Sequence, residues 1–192
     1  MPSSIRALAF IDFDNINISA RKKGLKEIDF NKLREILLNG YNCVGCSVYL
    51  PDKLKSLIPH IQKSGLSVSI VSPNKSVDGR LIFDLLVNAY RNTFDVAIIA
   101  SGDRDYIPVI EHRKSQGKKV KIASFESALS HGVRFVADEV LLLDDRLTDL
   151  SRFKRVYFCP ECGKEFTDSH KYFNGYTPKC PDCYSKTKSK DM

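Results

Sequence analysis

Phe94-Asp95-Val96-Ala97-Ile98-Ile99-Ala100-Ser101-Gly102-Asp103-Arg104-Asp105-Tyr106 is the stretch on which the fold turns. Phe94 to Ala100 is apolar at nearly every position, the pattern of a strand buried on both faces, and such strands belong to parallel sheets covered by helices on either side. The chain then changes at once to a turn carrying two aspartates and a glycine. Outward in both directions the same alternation repeats. Ile5 to Ile11, Cys43 to Leu50, Leu66 to Val71, Val120 to Ser124 and Val140 to Leu143 have strand length and composition. Between them lie helical patterns: one capped by Asp29, with Phe30, Leu33, Ile36 and Leu37 on one face and Gly40 at its end; one from about Leu54 to Ser64, bent at Pro59; one through Leu81, Leu85 and Ala89 to about Tyr90; one from Tyr106 to Gln116; and a short one near Ser127 to His131. Six strands joined by helical crossovers predict an α/β domain with a doubly wound, mainly parallel sheet and helices on both faces.

A chain of 192 residues that is 43% hydrophobic can bury a core of this kind, which excludes a disordered tail or a disulfide-dependent miniprotein. Its apolar runs are far shorter than the ~20 residues needed to span a bilayer, so no membrane segment is expected. The stretch from Met1 to Arg6 lacks the apolar core of a secretory signal, and the expectation is a cytoplasmic protein. The formal charge is +7, and residues 151–192 hold 9 basic against 5 acidic side chains. A basic balance is compatible with a polyanionic partner, most simply nucleic acid.

In open α/β sheets the site lies beyond the carboxyl ends of the strands. Asp12 and Asp14 follow the first strand in Phe10-Ile11-Asp12-Phe13-Asp14-Asn15, Asp78 ends the loop after the third, and Asp103 and Asp105 follow the fourth, so three separate loops are expected to deliver carboxylates to one edge. Two carboxylates about 5 Å apart repel by about 3 kcal/mol at an effective dielectric near 20, so a cluster of them calls for a cation. Oxygen-only ligands suit Mg²⁺ or Mn²⁺. Asn15 can add a neutral oxygen or orient a water, Gly102 permits close backbone approach, and Asp105 can cap the following helix. Such a site polarises a phosphodiester and activates a water for in-line attack. Gly-x-Gly-x-x-Gly and P-loop signatures are both absent, which argues against dinucleotide-dependent redox chemistry and P-loop nucleotide hydrolysis.

These segments resemble the NYN domain family of PIN-like nucleases, in its LabA-like branch, over roughly residues 5 to 145. The resemblance rests on Phe-Ile-Asp12-Phe-Asp14-Asn15, on Lys75-Ser76-Val77-Asp78-Gly79-Arg80-Leu81 leading to Asp84, and on Ser101-Gly102-Asp103-Arg104-Asp105-Tyr106. It implies a PIN-like fold and metal-dependent RNA cleavage, with Asp12, Asn15, Asp78, Asp103 and Asp105 in the acidic site and Asp84 at a further acidic position. Lys75, Arg80, Arg104 and Arg21 are the expected phosphate contacts. RNA is the partner the resemblance implies; DNA and a second copy of the chain stay open. Two alternatives remain. One is a haloacid-dehalogenase-like phosphatase, since Asp12-Phe13-Asp14 imitates that superfamily's Asp-x-Asp pair. The other is a non-catalytic adaptor that binds RNA or protein.

The six cysteines fall into three Cys-x-x-Cys pairs. Cys159-Pro-Glu-Cys162 and Cys180-Pro-Asp-Cys183 are separated by seventeen residues, the spacing of a tetrahedral four-cysteine structural Zn²⁺ site, and the segment resembles a zinc ribbon. Phe166, His170, Lys171, Tyr172, Phe173 and Tyr176 between the knuckles suit either RNA stacking or cover for the metal. Cys43 and Cys46 lie in a strand pattern that points them to opposite faces, so they are read as buried thiols. His60, His112 and His131 are expected away from the acidic edge. The organisation expected is an α/β domain over 1–147, a linker at 148–155, a ribbon over 156–184 and a basic tail at 185–192.

Overall fold

Every residue of Val96–Ala100 is buried, and this segment is the fourth strand, β4, at the centre of the sheet. The computed structural model describes residues 5–147 and, beyond them, 156–158, 162, 165–167 and 183. The strands are β1 (Arg6–Asp12), β2 (Asn42–Pro51), β3 (Ser67–Val71), β4, β5 (Lys119–Ser124) and β6 (Glu139–Leu142). They lie in the order β3-β2-β1-β4-β5-β6, and all five pairings are parallel. The order reverses between β1 and β4, which makes the carboxyl ends of those two strands the topological switch point.

Period-two alternation sends the side chains of each central strand to two separate cores. Ala7, Ala9 and Ile11 of β1 meet α1 (Phe13–Lys22), α2 (Phe30–Leu38) and α3 (Ile58–Lys63) through Phe13, Ile16, Leu33, Leu37 and Ile61. Leu8 and Phe10 meet α4 (Val77–Tyr90), α5 (Ile107–Ser115) and α6 (His131–Val136) through Leu81, Leu85, Val109, Ile110 and Val133. The fully buried aromatics Phe10, Tyr49, Phe94, Tyr106 and Phe125 each stabilise the fold by roughly 1.5–3 kcal/mol relative to exposure. A short helix, α7 (Asp144–Leu147), follows β6. Among the described residues no helix is long and apolar enough to cross a membrane.

The local signals behave as their chemistry requires. Asp29 accepts the Lys32 N–H at 3.0 Å and so caps α2. Gly65 and Gly117, at φ of 72° and 71°, end α3 and α5 in the left-handed conformation that glycine tolerates.

Four expectations need correction. The segment after β1 is a helix rather than a loop: α1 is rich in Asp, Asn and Ser, which have little helix propensity, and is held by Phe13, Ile16 and Ala20 against the core. Asp78 does not end a loop; it sits in the first turn of α4, which Ser76 opens by accepting the Gly79 N–H at 3.0 Å. The Leu54 to Ser64 pattern divides into a 3₁₀ turn over Asp52–Leu57 and then α3, with Pro59 in the first turn, where no intrahelical N–H is needed. The expected helix near Ser127 to His131 is a 3₁₀ turn over Glu126–Ala128, after which α6 begins at His131.

Cys43 and Cys46 do not point to opposite faces. The register of β1 against β2 shifts between Ala7, opposite Cys43, and Leu8, opposite Gly45. The extra residue of this bulge restores both cysteines to one face. Cys46 belongs to the α1–α3 core and Cys43 packs against it. Burial, with Cys43 adding to it, pushes the Cys46 thiol up to about 12, so it remains protonated.

The chain divides into two compact units, Met1–Thr148 and Asp149–Met192. In the second, β7 (Val156–Phe158) and β8 (Glu165–Thr167) pair antiparallel, with Tyr157 opposite Phe166. Between them in sequence fall Cys159 and Cys162, the expected first knuckle. Cys162 is exposed and Cys183 buried; Cys159 and Cys180 lie outside the described residues, as do the 148–155 linker and the tail.

Candidate active site

Asp12 ends β1 on the α4 side of the sheet and is only 5% exposed. It caps α1, its Oδ1 accepting the Asn15 N–H at 3.1 Å. Its Oδ2 faces two hydroxyls: Ser101 Oγ from the end of β4, at 3.3 Å, and Tyr106 Oη, at 3.4 Å. Tyr106, fully buried, donates to Asp78 Oδ1 at 2.7 Å. A phenol has one hydrogen, and at these distances Asp78 has the stronger hold on it. One hydroxyl therefore stands between two carboxylates brought from β1 and from the first turn of α4.

Among the described residues no cationic side chain is recorded at this pair. Burial, aided by the charge of Asp78, pushes the Asp12 carboxyl up to about 6 against the opposing pull of its hydrogen bonds from Asn15, Ser101 and Tyr106. Burial and the same two carboxylates drive the Tyr106 hydroxyl far above its ordinary value, so it stays a donor. The site is a pair of carboxylates at the switch point of the sheet with no neutralising side chain among the described residues.

The end of β4 is tied to this pair by short links. Ser101, which is buried, donates to Asp12 and accepts the Asp103 N–H at 3.3 Å. The Gly102 N–H donates to Asn15 Oδ1 at 3.2 Å, and its carbonyl accepts the Ser130 N–H at 3.0 Å. A Cβ at Gly102 would lie 2.3 Å from the Ala128 carbonyl oxygen and 2.6 Å from Ser124 Oγ, so only glycine lets the β4 and β5 loops approach this closely. The oxygen of Asn15 is thus engaged with backbone, and its NH₂ group is what it retains for a ligand.

The acids that follow act differently from their expected roles. Asp103, rather than Asp105, caps the next turn: its Oδ1 accepts the Asp105 N–H at 3.0 Å. Asp103 is half-buried, and it is its backbone N–H, not its carboxylate, that is linked to Asp12 through Ser101, while Asp105 is exposed. Among the described residues no three His, Cys, Asp or Glu side chains converge closely enough to hold a metal ion by themselves.

A second acidic centre lies beside the first. Tyr49 of β2, the register partner of Asp12, donates to Asp84 Oδ2 at 3.1 Å. Asp84 also takes the Nε–H of Arg80, at 3.1 Å to one oxygen and 3.0 Å to the other. Asp84 is therefore neutralised within the chain, and Arg80 is held exposed at the start of α4. Lys75 and Arg104 are exposed on the loop after β3 and the turn after β4. Arg21 is not at this edge. It lies in the last turn of α1, eight residues or about 12 Å along the helix from its start, a consequence of the unanticipated helix.

His131 also departs from expectation. It opens α6 directly after Ser130, whose N–H is bonded to Gly102, so it stands at the acidic edge. His60 packs edge-on against Phe30 at 5.7 Å on the other face. Ser101, Tyr106 and Tyr49 were not singled out from sequence. The one available signal was the placement of Ser101 and Tyr106 at either end of the Gly102-Asp103 turn. The dehalogenase alternative loses ground, because Asp78, which has no part in that scheme, is what Asp12 shares a hydroxyl with.

Comparison with known proteins places the chain. The NYN domain profile matches residues 6–144. An uncharacterized protein of Methanocaldococcus jannaschii is 27% identical over 119 residues, which covers 62% of this chain and 49% of that one; the chain spans about half the length of that curated relative. The crystal structure of a protein of unknown function from Vibrio parahaemolyticus superimposes with a TM-score of 0.67 at 19% identity, covering 77% of this chain and 99% of the other, a likeness of fold.

Proposed function

The chain belongs to the NYN domain family over residues 6–144, and on that premise we propose that it is a metal-dependent ribonuclease hydrolysing RNA phosphodiester bonds beyond the ends of β1 and β4. The family is in general one of nucleases, which typically use divalent metals. The observation that carries the reading is the Asp12–Tyr106–Asp78 contact: two carboxylates on one hydroxyl, one of them raised to about 6, with no cation recorded beside them among the described residues.

The donor set fits a hard cation. It is all oxygen, and two carboxylates suffice for Mg²⁺ or Mn²⁺, which keep several waters, whereas a site closed by three or more side chains is absent among the described residues. Asp12 and Asp78 would hold it directly, and Asp103 and Asp105 through water. Such an ion, when bound, stabilises charge on the phosphate and lowers the pKa of a coordinated water. The chain's own residues supply the geometry. Ser101 and the Asn15 N–H hold Asp12, Tyr106 sets the separation of the two carboxylates, and Asp78 rests at the positive end of α4. The Asn15 amide positions water or substrate, and Lys75, Arg80 and Arg104 contact flanking phosphates. In the second unit Cys159, Cys162, Cys180 and Cys183, at the spacing of a four-cysteine site, would hold a structural Zn²⁺, and the ribbon would assist RNA binding.

The test is incubation of the protein and its Asp103→Asn variant with single-stranded RNA, structured RNA and matched DNA, with Mg²⁺, Mn²⁺ or EDTA. Metal-dependent RNA cleavage that the variant lacks is the expected result. RNA retention without cleavage under every metal condition would make the protein an adaptor.

A further inference from the structure

The outward face of α4 carries apolar side chains that the fold does not use. Phe83 is 59% exposed and Tyr90 91% exposed, with the half-buried Val87 between them. Spacings of four and three residues align the three along one side of the helix. Arginines border the stripe: Arg80 one turn before Phe83, and Arg91 immediately after Tyr90. Both acids of α4 are turned to other uses, Asp78 to Tyr106 and Asp84 to Tyr49 and Arg80, so no unpaired carboxylate opposes the arginines from this helix. The pairing with Asp84 uses Arg80 Nε and leaves the two terminal nitrogens for a ligand. Lys118, bonded to Asn92 and to the Phe94 carbonyl at 3.0 Å, adds positive charge at the far end of the helix.

We propose that this face of α4 is the track along which a single-stranded segment of the RNA substrate lies, with bases stacked on Phe83 and Tyr90 and phosphates on Arg80 and Arg91. The proposal rests on the nuclease reading and extends it. The stripe starts at the end of α4 that carries the acidic site: Asp78 lies in the first turn of the helix and Arg80, which borders the stripe, two residues further on. Phe83 and Tyr90 are seven residues apart, about 10 Å along the axis, enough to receive separate bases. Aromatic faces interleaved with cations hold single strands without reading sequence.

A second copy of the chain fits less well. Antiparallel pairing of two α4 faces would set Arg80 of one against Arg91 of the other, like charge against like. A stripe one helix-face wide also falls short of the ~800 Å² per partner of a standard interface.

The experiment compares wild type, Phe83→Ala/Tyr90→Ala and Phe135→Ala, the last removing an 89% exposed aromatic from α6 as a control. Binding of a fluorescein-labelled mixed-sequence single-stranded RNA and of its duplex is measured with no divalent cation added. Steady-state cleavage is measured with Mg²⁺ and oligomeric state by light scattering. The expected result is single-strand binding weakened by roughly thirtyfold or more in the double variant, with KM raised and kcat retained. Duplex binding, the Phe135→Ala protein and the melting temperature should be unchanged. If wild type cleaves RNA and the double variant binds and cleaves equally well, the track is overturned and the nuclease reading stands. If the double variant changes only the oligomeric state, the face is a protein interface and the proposal fails. If wild type neither binds nor cleaves RNA, the nuclease reading falls and the track with it.

Discussion

Two tyrosine–aspartate contacts stand side by side at the carboxyl edge of the sheet, and they end in opposite electrostatic states. Tyr49 donates to Asp84 at 3.1 Å, and Arg80 completes that centre with two contacts near 3 Å. Tyr106 donates to Asp78 at 2.7 Å, and the third member there is another carboxylate, Asp12. The first centre is neutralised from within the chain. The second is more deeply buried, with Asp12 5% exposed, and has no cation of its own among the described residues. The same pair of residue types thus serves to orient an arginine in one place and to leave a charge deficit in the other. An acidic residue at this edge is informative about metal only when its partner is known.

The comparison breaks most sharply at Asp12. Asp12→Asn should reduce metal-dependent cleavage by more than the ~100-fold typical of losing a supporting residue, measured as kcat/KM on the RNA substrate. It should also stabilise the metal-free protein. Asp12 holds its proton up to about pH 6 when folded and to 3.8 at its ordinary value, so the folded chain carries the extra proton between them. Stability therefore falls as pH rises through that window. The variant's advantage in urea unfolding should be absent near pH 3.5 and reach roughly 2–3 kcal/mol above pH 6.5, given ~1.4 kcal/mol per tenfold change in proton affinity and an Asn that caps α1 as well as Asp. A variant less stable than wild type at pH 7.5 would show that the hydrogen bonds to the ionised Asp12 outweigh the cost of its burial.

Tyr106→Phe keeps the ring in the core and removes the shared hydrogen. Mn²⁺ affinity, read by titration calorimetry, should drop by about 10- to 100-fold as the two carboxylates lose their common anchor. An unchanged affinity would assign the hydroxyl to packing. The smallest effect belongs to the neutralised centre. Asp84→Asn retains an acceptor for Tyr49 but loses the ion pair to an exposed Arg80, so stability should change by less than about 1 kcal/mol. KM for RNA should shift by only a few-fold. A loss of cleavage as large as that of Asp12→Asn would place Asp84 in the metal site instead.

Much of this molecule was legible before its structure. The five-residue buried run at β4, the Asp29 cap, the glycine stops and the position of Asp12 at a strand end all depend on neighbours within one or two turns, and all appear where the sequence pattern puts them. The misreadings share a cause. The segment after β1 reads as one of the loops that carry acids from the strand ends, and it is helical because Phe13, Ile16 and Ala20 have a core to face. The Cys43–Cys46 pair took the wrong parity because one bulged residue resets a period of two. Arg21 was expected at the acidic edge and His131, as a helical residue, away from it; the length of α1 carries the first away, and the start of α6 directly after Ser130 brings the second close.

From the order of its residues alone the chain is a parallel α/β domain of NYN type, with acids delivered by separate segments to one edge and two cysteine pairs at zinc-ribbon spacing. Which acids meet is a tertiary matter. Tyr106 lies 94 residues from Asp12 and 28 from Asp78, and their contact depends on the β1–β4 pairing and the seating of α4 on it. Hydrogen bonds and neutralising charges act over a few ångströms, and which groups come within that range is set by register and packing between distant segments.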